Sequence, residues 1–267
     1  GTFTFNDDED DRPDGLLEEG TVTVSEVQIP ARATLVRAYL YLATSIFDDG
    51  DGIDAIDTEV ELRVPGGSDY ATVRADAVFE AEAVEGFPEL SLQAARADIT
   101  ALISDRPMNG AYAVRGFDAD IFDADTEHTA ANASFALVLV FEEPRLPPRS
   151  IALFDGLERV LGSTVAVSLD GLQVSPVPSG ALTFYAIEGD CHPGPDRCAD
   201  GNNLSGPERV VVRAPEGRSL VLSDAANPAN DIFNRTINTV DPPLVEVVGT
   251  DIDAFDISQV LRPGDTA

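Results

Sequence analysis

Residues 33–44 read ATLVRAYLYLAT, a long apolar run of the kind a buried central strand carries. Around it the apolar pattern is mostly period two with β-branched enrichment, which argues for strands. TVTVSEVQIP (21–30) alternates cleanly. TEVELRV (58–64), YATVRADAVFEAEA (70–83), GAYAVRG (110–116), ASFALVLVFEE (133–143), RSIALFDG (149–156) and STVAVSLDGL (163–172) continue the series. ALTFYAIEG (181–189), ERVVVRA (208–214), SLVLSD (219–224) and LVEVVGTD (244–251) complete it. Gly, Pro, Asp and Asn punctuate nearly every junction. The best helix candidate is LSLQAARADITALI (90–103). The expected fold is all-β: two packed jelly-roll-like β-sandwich lobes with little helix.

EEPRLPPRS (142–150) cannot belong to a central strand, because its prolines cannot donate to a ladder. It divides an N-terminal lobe, 1–143, from a C-terminal lobe, 149–267. The strands on either side are strongly apolar, so the lobes are expected to pack together.

A chain of 267 residues is long enough for one large or two ordinary cores. Its 17 basic residues, all arginine, face 48 acidic ones, a net charge of −31. Such a surface repels phosphate backbones and anionic lipid, which excludes nucleic acid as a partner and gives no support to membrane insertion. The excess acid serves solvation or divalent-cation loading. Without lysine there is no Schiff base, no lysine general base and no Lys–Asn isopeptide staple. Without tryptophan the strongest sugar-stacking side chain is missing, although five Tyr and 13 Phe remain.

GDCHPGPDRCADG (189–201) holds the two cysteines, Cys191 and Cys198, around a Pro-Gly-Pro turn. That spacing lets their Cα atoms approach bridging distance, and a disulfide there implies an oxidising, extracytoplasmic compartment. The rival is a metal site using Cys191, His192 and Cys198, for which no fourth ligand lies nearby. The 267 residues contain no signal peptide and no long hydrophobic span, so a soluble, secreted or cell-surface product is expected, with any anchor lying elsewhere.

The two halves share one short pattern. ADITALISDRPMNGAYAVRG (97–116) holds Asp98-Ile99-Thr100, apolar Leu102 and Ile103, then Gly110 and a strand. FDISQVLRPGDTA (255–267) holds Asp256-Ile257-Ser258, Val260 and Leu261, then Gly264. Asp followed by Thr or Ser suits the cap of one helical turn, and the glycine then reverses the chain. By internal analogy a strand is expected from Thr266 onward. Three readings stay open: a terminal strand outside these residues, a domain complete with an ordinary frayed end, or a strand supplied by another chain. At the other end GTFTFN (1–6) puts Phe3 and Phe5 on one face, ahead of the acidic run NDDEDDRPDG (6–15). A donated strand on a tether has this form, with Phe3 and Phe5 filling alternate pockets, and head-to-tail donation builds a fibre. The plain alternative is a first strand of its own domain.

Several segments together resemble an adhesin-like β-rich domain of unknown function found in large secreted or surface proteins of bacteria. They are VRAYLYLAT, ADITALI with GAYAVRG, SFALVLVFEEPRLPPRSIALFDGL, FYAIEGD, NPANDIFNRTI and GTDIDAFDISQVL. Their order, more than any one of them, carries the resemblance, from about Leu35 onward. It implies surface localisation and a structural or adhesive role, with no catalytic residues to carry over; Phe135 stands where an aromatic, often tryptophan, is usual.

Calcium is the first candidate ligand. FDDGDGIDAID supplies Asp48, Asp49, Asp51, Asp54 and Asp57 as hard oxygen ligands, though out of EF-hand register. GFDADIFDAD offers Asp118, Asp120, Asp123 and Asp125, and GTDIDAFD offers Asp251, Asp253 and Asp256. A second cluster joins Glu188 and Asp190 with Asn227, Asn230, Asp231 and Asn234; these serve either as caps on turns or as cation ligands. Hydrolysis finds little support, since no Gly-x-Ser-x-Gly occurs and both histidines, His128 and His192, stand in polar loops. The chain reads as a non-enzyme: a structural or filament-forming protein whose partners are copies of itself, other surface proteins or polysaccharide. The other reading is a carbohydrate-binding module, or a passive module of a longer calcium-binding adhesin.

Overall fold

The computed structural model describes residues 2–5, 15–25, 28–47, 55–81, 90–117, 119, 132–160, 164–187, 208–245, 247 and 249–265. Among these the chain is nearly all β, in several antiparallel sheets. In order come β1 (Thr4–Phe5), β2 (Gly15–Leu16), β3 (Glu19–Val24), β4 (Thr34–Phe47), β5 (Glu59–Arg63), β6 (Ala71–Arg74), β7 (Ala77–Ala81) and β8 (Leu90–Asp98). The helical turn α1 (Thr100–Ile103) leads to β9 (Gly110–Arg115) and β10 (Ala133–Glu142). Next along the chain are β11 (Ala181–Ile187), β12 (Val211–Arg213), β13 (Ser219–Val221) and β14 (Thr250–Asp256).

The apolar run at 33–44 is the centre of the first lobe. β4 lies inside a four-stranded sheet ordered β10-β4-β8-β7, where Leu40 faces Leu137 on one side and Ala97 on the other. A second sheet is ordered β3-β9-β5-β6. Ala38, Leu40 and Leu42 of β4, Ala95 of β8 and Phe135 of β10 meet Val60 and Leu62 of β5, Val73 of β6, and Tyr112 and Val114 of β9 in one core. The two sheets thus close a sandwich, each buried Leu or Val contributing roughly 1.5–3 kcal/mol.

The helix expected at 90–103 is corrected. Residues Leu90–Asp98 form β8, and only Thr100–Ile103 turn helically. Alanine and glutamine favour a helix in isolation, but pairing with β4 and β7 on both sides overrides that weak preference. The buried Ala94, Ala95 and Ala97 suit a strand covered on both faces. A second difference lies after β10. RSIALFDG and STVAVSLDGL have strand patterns, yet residues 147–160 and 164–169 join no ladder. Ile151, Leu153, Phe154, Val160 and Val167 remain exposed there.

The second lobe has a smaller core of its own. β11 pairs with β14 and β12 with β13. Leu222, Ile232, Phe255, Ile257 and Val260 are buried together, with Phe184 stacked on Phe255 at 5.7 Å and edge-on to Phe233 at 5.3 Å. Polar side chains tie the lobes. Asn132, 1% exposed, donates through Nδ2 to Gly249 O at 2.6 Å and Thr250 Oγ1 at 3.0 Å. Ser134 Oγ and Tyr185 Oη lie 2.6 Å apart, and Gln28 Nε2 donates to Thr239 O at 2.6 Å.

The N-terminal segment belongs to its own lobe. Phe3 N–H donates to Ala133 O and Phe3 O accepts from Leu17 N–H, each at 2.7 Å, and Thr2 bridges Ser134. The Phe3 ring is 1% exposed, with its centroid 5.3 Å from that of Phe117 and 5.5 Å from that of Phe135. Gly20 makes room for it: a Cβ there would stand 2.7 Å from Phe135 Cε1 and 3.1 Å from Phe3 Cε1. Phe5 pairs through its backbone with Gly15. Phe3 therefore sits as a first strand of its own domain does, not as an arm held out for a neighbour. Phe3→Ala is expected to cost about 3–5 kcal/mol. A urea titration should show a lower midpoint at unchanged slope.

Candidate functional site

The repeated Asp-Ile-Thr/Ser element builds the same turn twice. Asp98 Oδ1 accepts from Thr100 N–H at 2.9 Å, and Asp256 Oδ1 from Ser258 N–H at 2.8 Å. The hydroxyls then reach back to the partner strand: Ala38 N–H donates to Thr100 Oγ1 at 2.9 Å, and Gly180 N–H to Ser258 Oγ at 3.0 Å. Ile99 N–H donates to Ala38 O and Ile257 N–H to Gly180 O, both at 2.9 Å. The strand registers agree as well, since Tyr39 faces Asp98 and Ala181 faces Asp256. β11 thus corresponds to β4 and β14 to β8. Gly180 stands where the first lobe has Ala38, because a Cβ there would lie 2.7 Å from Leu261 Cδ1.

Beyond the turn the two lobes differ. In the first lobe the chain reverses at Gly110 into β9, which pairs with β3 from Val24 onward and with β5 on its other side. In the second lobe Gly264, at φ 82°, starts the same kind of pairing: Gly264 N–H donates to Val174 O at 3.2 Å and Val174 N–H to Asp265 O at 3.0 Å. Arg218 locks this corner with a two-pronged pair to Asp265 at 2.8 and 2.9 Å. That guanidinium holds the Asp265 carboxyl below the usual carboxylate range. Thr266 and Ala267 lie outside the described residues.

A polar cluster occupies the inner side of the second lobe. Asp251, Asp253 and Phe255 alternate along β14 and so share a face, and both aspartates are 0% exposed. The segment after β13 wraps over them. Asp224 Oδ1 accepts from the backbone N–H groups of Ala226 and Asn227 at 2.8 Å, which bends the chain. Thr236 N–H donates to Asp251 Oδ1 and Asn238 N–H to Asp253 Oδ1, each at 3.0 Å. Burial pushes the Asp251 carboxyl up to about 8, with the negative charges of Asp253 and Glu208 adding to it. Burial likewise pushes Asp253 up to about 6.

The residues singled out in the sequence scatter. Asp48, Asp49, Asp51 and Asp54 lie outside the described residues, and Asp57 is half-buried beside the first core. Glu188, Asp190, Cys191 and Cys198 are also outside them, as are Asp118, Asp120, Asp123, Asp125, His128 and His192. Asn230 is exposed, whereas Asp231 bridges Glu208. Asn227 and Asn234 do meet Asp253, through Thr236. Thr236, Asn238 and Asp224 were not among the sequence candidates; acids at alternate positions of an otherwise apolar strand were the available signal. Among the described residues no group of three or more His, Cys, Asp or Glu side chains has metal-holding geometry.

Tyr39, Tyr41, Tyr112 and Tyr185 are engaged. Tyr112 is buried and its Oη donates to Met108 O at 2.8 Å, while Tyr185 Oη meets Ser134. On the outer face of the first sheet Tyr41 Oη donates to Asp155, which also pairs with Arg96, and Arg96 lies over the Tyr39 ring. No helix among the described residues is long and apolar enough to cross a membrane. No protein-family model, curated protein or solved structure matches the chain.

The two raised carboxyls set a pH dependence. An acid whose pKa rises on folding holds a proton that the unfolded chain releases near pH 4, so its contribution is complete below about 4 and is lost as pH climbs through 6 and 8. In a chelating buffer the thermal midpoint is expected to fall from about pH 5 to about pH 8, at up to about 1.4 kcal/mol per unit for one such carboxyl. Asp251→Asn should flatten that slope. A wild-type midpoint that does not fall across this window contradicts the assignment.

Proposed function

We propose that this chain is a structural and adhesive module of an extracytoplasmic surface, which assembles by accepting an extended β-strand at its second lobe. The observation that carries the reading is the duplicated turn. In the first lobe the strand that leaves this turn, β9, is central to its sheet and buries Tyr112 and Val114. The corresponding place in the second lobe is bordered by the segment at Val174, which pairs with Gly264 and Asp265, and by the hairpin β12–β13. Val211 and Val221 on that hairpin are exposed, as is Val177, three residues after Val174. Apolar edges of this kind are templates for strand addition, where main-chain hydrogen bonds supply affinity and alternate side chains supply specificity.

The proposed occupant is a strand with the alternation of Ala111-Tyr112-Ala113-Val114, whichever polypeptide carries it. Self-association through residues 1–6 is one source, and it takes the form of an exchange, because Phe3 must first leave its own core. The charge of −31 suits a module that stays dispersed until a specific edge engages it. A carbohydrate-binding role is less well supported, since Tyr112 and Tyr185 are engaged inside and Tyr41 is tied to Asp155.

The test is light scattering with negative-stain microscopy over a range of concentrations. It compares the intact chain, a chain lacking residues 1–6, and a chain with the sequence of residues 111–116 grafted after Asp265. Oligomers that the graft abolishes, with a higher thermal midpoint for the grafted chain, are the expected result. Loss of oligomers on removing residues 1–6 would identify the donor. A monomer throughout, with no stabilisation by the graft, overturns strand addition at this lobe.

A further inference from the structure

The hydroxyl of Thr236 is surrounded by more acceptors than it can serve. Its Oγ1 lies 2.6 Å from Asn227 Oδ1, 3.0 Å from Asn234 Oδ1 and 3.2 Å from Asp253 Oδ2. The amide groups cannot be turned to help, because both nitrogens have acceptors of their own. Asn227 Nδ2 donates to Asp224 at 3.2 Å, and Asn234 Nδ2 to Ala226 O at 2.7 Å. The Thr236 hydroxyl therefore brings one proton to three acceptor oxygens, and the Asn227 side chain also hydrogen-bonds Asp253. Beside them Asp251 is 0% exposed, and while its Oδ1 takes Thr236 N–H, its Oδ2 is enclosed without any hydrogen-bond partner. The charges that act on Asp251 are Asp253 and Glu208, both negative. A buried carboxylate among other acids needs a counter-charge to stay ionised.

The duplicated turn supplies a comparison. Counting back from Asp98 and Asp256, Asp251 corresponds to Gln93 of β8 and Asp253 to Ala95. Gln93 is also buried, and its Oε1 accepts a loop N–H, that of Ile56, at 2.9 Å, just as Asp251 Oδ1 accepts that of Thr236. The fold thus needs an acceptor at this position and a neutral amide serves. The second lobe places two acids here instead.

We infer that Asp251, Asp253, Asn227, Asn234 and Thr236 form a binding site for one hard divalent cation, calcium in preference to magnesium, which pins the 224–238 segment to β14. Two carboxylates with two amide carbonyls and a hydroxyl make an all-oxygen set, with no His or Cys to favour zinc. Calcium accepts such irregular sets of six to eight oxygens, whereas magnesium demands a near-ideal octahedron. The site does not depend on strand addition. Its residues lie on the inner face of β14 and its covering loop.

The experiment is calorimetric calcium titration of the full chain after chelation, in about physiological salt to suppress weak surface association, with the thermal midpoint followed in parallel. One stoichiometric site is expected, with a midpoint that climbs with calcium concentration and moves far less with magnesium. Asp251→Asn places a neutral amide where Gln93 serves in the first lobe, so it should fold in chelator and lose at least tenfold in affinity. Asn234→Asp adds a carboxylate and should tighten binding while lowering the midpoint in chelator. The second variant decides the matter if the first does not fold. No stoichiometric binding by the wild type, or equal binding by wild type and both variants, overturns the site and leaves only diffuse association with an acidic surface.

Discussion

A strand that leaves one sheet of a sandwich to enter the other must turn sharply while its amides stay satisfied. Here that problem is solved by an Asp-Ile-Thr/Ser triplet, and both lobes are arranged around the solution. The aspartate caps the first turn through the N–H two residues on, and the hydroxyl accepts from the neighbouring strand. The isoleucine between them buries its side chain while its N–H bonds the same neighbouring residue. Two bonds to the neighbouring strand, one bond within the turn and one apolar contact thus fix the end of β8 or β14 against β4 or β11. Keeping the hydroxyl while exchanging Thr for Ser retains the bond and gives up one methyl.

The first lobe was legible because its signals agree across levels. ATLVRAYLYLAT has the composition of a central strand and is one. The triplet was visible as a repeat, and its equivalence reaches the level of individual hydrogen bonds. Residues 90–98 were misread because Ala94, Ala95 and Ala97 carry helix propensity. Their burial, and the pairing of their strand with β4 on one edge and β7 on the other, are tertiary facts that no window of sequence contains. The polar cluster was half legible. Asp251, Asp253, Asn227 and Asn234 were noticed as oxygens, but in separate loops. Only the fold of residues 224–238 across β14 brings them to Thr236, an ordinary threonine in the sequence.

The lobes also differ in what holds them. The first encloses Leu40, Tyr112, Val114 and Phe135 between two four-stranded sheets. Among the described residues the second buries fewer apolar side chains, and it places two acids on the inner face of β14. Its order rests on the Asp224 and Thr236 networks and on Arg218, which joins the 3-10 turn at Pro215–Gly217 to Val260 O and Asp265. Polar networks of this kind are strong when every member is satisfied and weak when one is not. The proposed cation site and the proposed strand-accepting edge both draw on that imbalance, since a cation would complete the network from within and an added strand would extend the apolar core from its edge.

The imbalance has a functional logic. A lobe whose core is complete has little to gain from a partner, and the first lobe, with Phe3 already folded into it, is in that position. A lobe with exposed Val211 and Val221 beside a turn that launches a strand has apolar edge left to bury. Strand addition there would cover side chains that the isolated lobe leaves to water, so association and stability become coupled at one place. The 224–238 segment comes after β13, the strand that pairs with β12, and ends on β14. A cation holding that segment would therefore stiffen the hairpin's anchorage before any strand arrived. Less conformational freedom would then be lost on binding, so calcium and strand would favour one another without touching.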